Sequence, residues 1–288
     1  MPLDAPHTAP INNLRLPDAL TVRHGPAPLL SRFVIEADKA ARALGLELRV
    51  RYDFEELVHL NREQAGRGNW HRLLNAYNPS YVDIGPDNAF WIAGSDEHGE
   101  IVATHALHVY DWTGTNLKEQ AQSVFYGREE GAPCQVTADA AEMIGGVVGK
   151  GGAAWVRPDW RGKQLSHLMP RMMKAFGSAH WPLDWVIGLV QPPLVRKGVA
   201  AGYGSKHISY SIFYPQSAWG DLEVAVVYTA VDEIYRDLAE FLATRLTAAQ
   251  PADYDFVMPV WASSGALREQ SVTNTSPDGV FHGSRTRS

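Results

Sequence analysis

Hydrophobic and polar positions alternate strictly over residues 46–52, LELRVRY. Leu46, Leu48, Val50 and Tyr52 face one way, and Glu47, Arg49 and Arg51 the other. A period of two with one apolar face predicts a half-solvated strand. Asp53 follows, with Glu56 three residues on. That is a capping-box spacing, and it opens a helix whose apolar face carries Leu57 and Leu60. Upstream, the spacing of Phe33, Ala37, Ala40, Ala41 and Leu44 predicts a helix over 32–44, with Ser31 as N-cap and Gly45 as its stop. Residues 1–30 hold six prolines and little periodicity, and read as an extended arm.

Further along, a helical piece is expected over 70–77, ending before Pro79. Two apolar runs within 89–110 flank the polar loop 95-SDEHG-99 and predict a β-hairpin. Residues 111–150 read as an irregular connection with some strand around 143–148. The stretch 152-GAAWVRPDWRGKQLSHLMPRMMKAFG-177 then reads as strand, sharp polar turn and helix. Its apolar residues Leu165, Leu168, Met169, Met172, Met173 and Phe176 form a nearly complete helical stripe, which is core. Pro170 inside that stripe predicts a kink. A buried strand over 184–190 comes next, then a helix over 191–201 opened by a double proline and ended by Gly202, Tyr203 and Gly204. Strands over 207–214 and 222–230, a helix over 232–246 and a strand over 254–260 complete the pattern. The last 25 or so residues are sparse in apolar positions and read as loose. The fold class is α/β (α+β): a mixed central sheet flanked by helices, in one domain over 31–260, between an arm over 1–30 and a tail over 261–288.

Composition narrows the classes. The chain has 288 residues and a formal net charge of -6, which argues against a nucleic-acid-binding surface. Its one cysteine, Cys134, excludes an intrachain disulfide and a cysteine-rich metal site. No signal-peptide pattern is visible, and no apolar run approaches the roughly 20 residues of a membrane helix. The expectation is a cytoplasmic protein with neither membrane nor nucleic-acid partner. Nine Trp and eleven Tyr fit a large buried area or an apolar cleft equally well.

Chemistry concentrates where the helix of the 152–177 stretch begins. The first turn of a helix carries unpaired N–H groups and the positive end of the dipole, so it attracts anions. Arg161 and Lys163 add two cations, and Gly162 allows close approach to the backbone. On these residues alone the junction reads equally as a diphosphate site or as a helix start with two solvated basic residues. The run Val156-x-Pro158-x-x-Arg161-Gly162-Lys163-x-Leu165 resembles the acetyl-CoA-binding signature of the GNAT superfamily of N-acetyltransferases, V-x-P-x-x-R-G-x-G-x-G/A. The element order over about 46–230 is similar to that fold too, and 188-GLVQPPLVRKGVAAGYG-204 resembles its fifth strand, fourth helix and closing Gly-aromatic pair. Gln164 stands where the family has its second glycine, and Ser166 where it ends on Gly or Ala.

The resemblance implies direct acyl transfer from acetyl-CoA, or another acyl-CoA, to the amine of a small-molecule acceptor, without a metal. It implies that two strands splay and hold the pantetheine arm, with Ala154 and Val156 on one of them. Arg161, Gly162, Lys163, Gln164, Leu165 and Ser166 would cradle the diphosphate. The family's helix-four tyrosine falls on Gly198, so Tyr203 is the nearest candidate acid; its plainer reading is a packed aromatic. Glu142 is the nearest upstream carboxylate and the candidate base, with a surface carboxylate as the plainer reading and water-mediated deprotonation beside it. The acidic balance favours a basic or neutral acceptor, and a homodimer is compatible with everything above. Two alternatives stay open: a non-catalytic sensor of CoA or a phosphorylated ligand with the same fold, and an unrelated phosphate-handling enzyme whose strands are not splayed.

Other patterns are decoys. The stretch 145-GGVVGKGG-152 lacks the first glycine and the Ser or Thr of a P-loop, having Ile144 and Gly151 there. His105 and His108 lie three apart on a predicted strand and face opposite sides, so they are not a preformed metal pair. Cys134, after a proline in a predicted loop, is a weak nucleophile candidate.

Overall fold

A computed structural model describes residues 13–246. The described residues open with a two-residue strand β1 (Leu14–Arg15), a helical turn α1 (Leu16–Ala19) and a long helix α2 (Ala27–Ala43). Then come β2 (Glu47–Arg51), α3 (Phe54–Gly66) and the hairpin β3 (Ala89–Ser95) and β4 (Ile101–Asn116). Next are α4 (Leu117–Tyr126), β5 (Gln135–Val136), β6 (Gly145–Val156), α5 (Leu165–His180) and β7 (Trp185–Val190). Two short helices α6 (Pro192–Arg196) and α7 (Val199–Gly202), the hairpin β8 (His207–Ser217) and β9 (Gly220–Ala230), and α8 (Val231–Phe241) finish the described chain. The strands form one mixed sheet in the order β1-β2-β3-β4-β6-β7-β9-β8-β5. This is the helix-flanked mixed sheet expected from the sequence.

The only parallel neighbours among the described strands are β6 and β7. A parallel pair needs a crossover, and α5 supplies it. Strand β3 is buried throughout, because its alternate residues feed two cores. Phe90 and Ile92 join Phe33, Met172, Phe176 and Leu238 beneath α2, α5 and α8. Trp91 and Ala93 join Leu57, Trp70, Tyr77 and Trp155 beneath α3 on the other face. A third cluster packs Leu117, Val124 and Phe125 of α4 against Tyr214, Val148 and Ile187.

Several sequence expectations change. The part of the 1–30 arm that is described is not extended: Leu16 and Leu30 are fully buried, and α2 starts at Ala27, so Ser31 lies inside it. Prolines that suggested an arm occupy the first positions of α1 and α2, where a missing N–H costs nothing. The expected helix over 70–77 shrinks to a single 3-10 turn, Asn75–Tyr77. Asn61 holds the preceding segment open, its amide donating to the His71 carbonyl (2.8 Å) while its oxygen accepts from the Leu73 N–H (2.9 Å). Within 111–150, β4 continues to Asn116, whose side chain accepts from the Glu119 N–H (3.2 Å) and caps α4. That Asn-x-x-Glu spacing was a readable signal. Asp53 caps α3 as expected, accepting from the N–H groups of Glu55 and Glu56. Helix α5 runs through Pro170 without ending, and the 232–246 helix becomes α8 plus a π-helical turn, Leu242–Leu246. The strand expected over 254–260 and the tail lie outside the described residues.

Two cations inside α5 tie the crossover helix to later parts of the chain. Buried Arg171 donates to both carboxylate oxygens of buried Asp237 on α8 (2.8 and 3.1 Å), and to the carbonyls of His167 and Gly202. Lys174 donates to the carbonyls of Tyr203 and Gly204 (2.9 and 3.0 Å). The 202–204 turn is thus fixed from beneath by α5. Removing one partner of a buried ion pair strands the other charge, at a cost of about 3–5 kcal/mol, whereas replacing both by apolar groups often costs far less. Asp237→Ala is therefore expected to lower unfolding free energy by about that amount, and Arg171→Met with Asp237→Leu to recover most of it, as read by chemical denaturation.

Candidate active site

Strands β6 and β7 pair over three residues only: Val148, Gly149 and Lys150 against Trp185, Val186 and Ile187. Beyond that point β6 keeps its pairing with β4, and β7 keeps its pairing with β9, but the two no longer meet. A cleft of about 790 Å³ fills the opening. Its walls are the separated strands, the 68–74 connection, Pro170, Met173 and Lys174 of α5, Tyr203, and the 218–220 turn. A bulge marks the β6 wall: the register slips opposite Thr104–Ala106, Ala153 takes φ 48°, and the Thr104 hydroxyl donates to its carbonyl (2.7 Å).

The polar turn lies at the far end of β6. Ala154, Val156 and Arg161 line the cleft, and Leu165 and Ser166 line a small adjoining recess with Tyr203 and His105. Gly162 takes φ 81° with open space where a Cβ would stand. Gln164 occupies the N-cap position in the left-handed region (φ 57°, ψ 17°) and makes no side-chain cap. Among the described residues, no backbone acceptor meets the N–H of Gly162, Lys163, Gln164, Leu165 or Ser166. A run of unpaired donors at a helix start suits an oxyanion. Arg161 reaches back weakly to the Val156 carbonyl (3.4 Å), and the Lys163 ammonium sits 3.7 Å over the Trp160 ring. Neither cation is tied to a carboxylate among the described residues, so both remain able to pair with phosphate. The donor set therefore fits the diphosphate that the resemblance implies.

The two residues proposed for proton transfer separate. Tyr203 is half-buried in the cleft wall, edge-on to His105 with centroids 5.9 Å apart. Burial pushes its hydroxyl up to about 12, so it keeps its proton at neutral pH. Glu142 does not line the cleft. It is exposed on a 3-10 turn before β6, with its carboxylate 2.6 Å from Lys118, whose hydrogen bond and charge hold it below the usual carboxylate range. Gly198 falls between α6 and α7 and carries no hydroxyl into the site.

Lys150, which no motif marks, is the titratable group at the point where the strands part. It is buried and lines the cleft, with its nitrogen 4.4 Å from the Tyr77 ring centroid and 3.5 Å from the Tyr77 hydroxyl. Burial lowers it to about 7, so a large fraction is neutral amine at physiological pH. Lys174 is lowered to about 7 as well, but its donors are committed to two carbonyls. His105 is pushed down to about 3 by burial and by the neighbouring Lys174, and is a neutral imidazole. A lysine in an otherwise Gly- and Val-rich strand was the available signal. His108, on the same strand as His105, bonds the Ala76 carbonyl (2.9 Å) and serves the fold.

No family model matches the chain, and no curated protein does. Among solved structures it is similar to a variant spermidine N-acetyltransferase from Vibrio cholerae, at 9% identity over 66% of this chain and 96% of that one, with a TM-score of 0.39. It is also similar to an uncharacterized protein from Bacillus halodurans, at 9% identity over 70% and 93% of the two chains and a TM-score of 0.41. A third is RimJ from Mycobacterium smegmatis in complex with CoA-disulfide, at 10% identity over 67% and 88%, with a TM-score of 0.35. Likenesses at this level carry no functional weight.

Gln164 gives a direct test of the turn. A left-handed backbone costs a side-chain-bearing residue roughly 1–2 kcal/mol, which glycine avoids while losing some unfolded-state entropy. Gln164→Gly is expected to change stability by less than about 1 kcal/mol, whereas the β-branched Gln164→Val should lose about 1–2 kcal/mol in chemical denaturation.

Proposed function

We propose that this chain transfers an acyl group, acetyl in the simplest case, from acyl-CoA to the amine of a small acceptor. The observation that carries the proposal is the parting of β6 from β7 after Lys150 and Ile187, in a cleft that runs toward the unpaired N–H groups of 162–166. Those donors, with Arg161 and Lys163, would bind the diphosphate. The β6 backbone around Ala154 and Val156 would hold the pantetheine arm and orient the thioester carbonyl.

Lys150 is then the group that takes the proton. An incoming ammonium must lose one proton before its nitrogen can attack, and a neutral amine with a conjugate acid near pH 7 is well matched to accept it. Attack forms the amide C–N bond and breaks the thioester C–S bond; the sulfur leaves as thiolate, and the second proton shed by the attacking nitrogen passes to solvent. A free thiol titrates near 8.5, several units below Tyr203, so full proton transfer from that hydroxyl runs uphill. Tyr203 accordingly acts by donating a hydrogen bond to the departing sulfur, while solvent completes the protonation.

Calorimetry is expected to show micromolar acetyl-CoA binding that Arg161→Glu abolishes; clean absence of binding to the wild-type chain would sink the proposal. Lys150→Met should keep that binding and lose at least about 100-fold in thiol release, the scale of one general base. Wild-type release should rise with pH through about 7 as Lys150 loses its proton. The same shift sets a stability trend. Between about 7 and the unfolded lysine value of 10.5 the unfolded chain binds the extra proton, so Lys150 makes stability rise with pH across that window. Lys150→Met should flatten this rise in part, as read from denaturation at several pH values.

A further inference from the structure

The charge lining the cleft opposes the charge of the whole chain. Among the described residues, Arg72, Lys150, Arg161 and Lys174 line it, and no aspartate or glutamate does. Arg161 belongs to the phosphate end, Lys174 is tied to carbonyls, and Lys150 is the buried amine at the strand junction. Arg72 stands apart from these. It lies on the 68–74 connection across from the 218–220 turn, with its guanidinium 5.5 Å from the Trp219 ring centroid, and no carboxylate among the described residues pairs with it. Beside it, Trp70 stacks on Trp155 with centroids 5.1 Å apart, and both rings line the cleft.

A second cation on the acceptor would meet the exposed Arg72 guanidinium, and no carboxylate among the described cleft-lining residues would offset that repulsion. A guanidinium supported on an aromatic face presents a planar fork of donors that matches an acid group. We propose that the acceptor is an amine carrying its own acid group on an apolar or aromatic body, with the acid group paired to Arg72. This rests on the acyl transfer proposed above and names its substrate class. It reverses the expectation of a basic or neutral acceptor, because none of the described carboxylates lines the cleft.

The test compares matched amines by thiol release on the full chain with saturating acetyl-CoA: phenethylamine, phenylalanine, phosphoethanolamine and spermidine. Phenylalanine is expected to exceed phenethylamine at least tenfold in kcat/KM, with spermidine slowest, and Arg72→Gln to collapse the phenylalanine-to-phenethylamine ratio toward one. Phosphoethanolamine outrunning phenylalanine would overturn the apolar or aromatic body, since that amine has none. Phenethylamine or spermidine outrunning both acidic amines, or an Arg72→Gln ratio equal to wild type, overturns it. If acetyl-CoA binds but no amine releases thiol, the transfer function fails. In that event calorimetric binding of phenylalanine against phenethylamine to the acetyl-CoA-loaded chain decides the acceptor class, and equal binding overturns it. Loss of acetyl-CoA binding itself would overturn the function and the acceptor class together.

Discussion

Everything at the candidate site depends on two neighbouring strands that stop pairing. Backbone N–H and C=O groups are obligatory hydrogen-bonding partners, so a sheet does not open between interior strands unless other contacts hold it open. Here each strand is anchored on its outer edge: β7 to β9 along its whole length, and β6 to β4 on both sides of the bulge at Ala153. Tyr77 closes the base of the opening. Its hydroxyl donates to the Lys150 carbonyl (3.0 Å), and a Cβ at Gly152 would collide with that hydroxyl, so the strand must be bare where the ring packs. The bulge at Ala153 comes immediately after, and it turns the next residues of β6 out of register with the strand behind them.

The buried cations around this opening divide by the partners they find. Taking a charge out of water costs several kcal/mol, which must be offset by an opposite charge, by hydrogen bonds, or by loss of the proton. Arg171, which cannot lose its proton, has a carboxylate and two carbonyls. Lys174 has two carbonyls. Among the described residues Lys150 has only a long contact to a hydroxyl and the face of a ring, so neutralisation is its main recourse. The first two fix the 202–204 turn and with it the ring of Tyr203. The third meets only Tyr77 among the described residues, which is what suits it to the proton-accepting role proposed.

The polar turn was legible because its signal is local: proline, arginine, glycine and a helical stripe within twenty residues. The amphipathic strands and the Asp53 cap were legible for the same reason. The groups proposed for proton transfer were not, because proximity in sequence is a poor guide along an extended strand. Glu142 precedes β6, and nine residues from Gly145 to Ala154 at about 3.3 Å each put roughly 30 Å between the strand's start and the bulge region. Lys150 was hidden in a glycine-rich run whose only familiar likeness is to a P-loop. The 68–74 wall of the cleft reads as a helix in the sequence because apolar spacing over 70–77 says nothing of the distant Asn61 that holds the segment extended.

Gln164 shows that the requirement at the polar turn is one of conformation before it is one of residue type. The position adopts the left-handed geometry that glycine would adopt freely, and leaves the same run of N–H groups unpaired. From Lys150 to Val156 the strand covers six steps, roughly 20 Å at 3.3 Å each, between the neutral amine and the approach to that turn. A ligand that uses both ends must therefore carry its anionic group a long way from its reacting atom, on an arm narrow enough to lie between two strands. A nucleotide or a simple phosphorylated ligand would occupy only the turn and leave the buried lysine without a role. A thioester on a long arm ending in a diphosphate uses both, which favours an acyl-CoA ligand over a simple phosphorylated one.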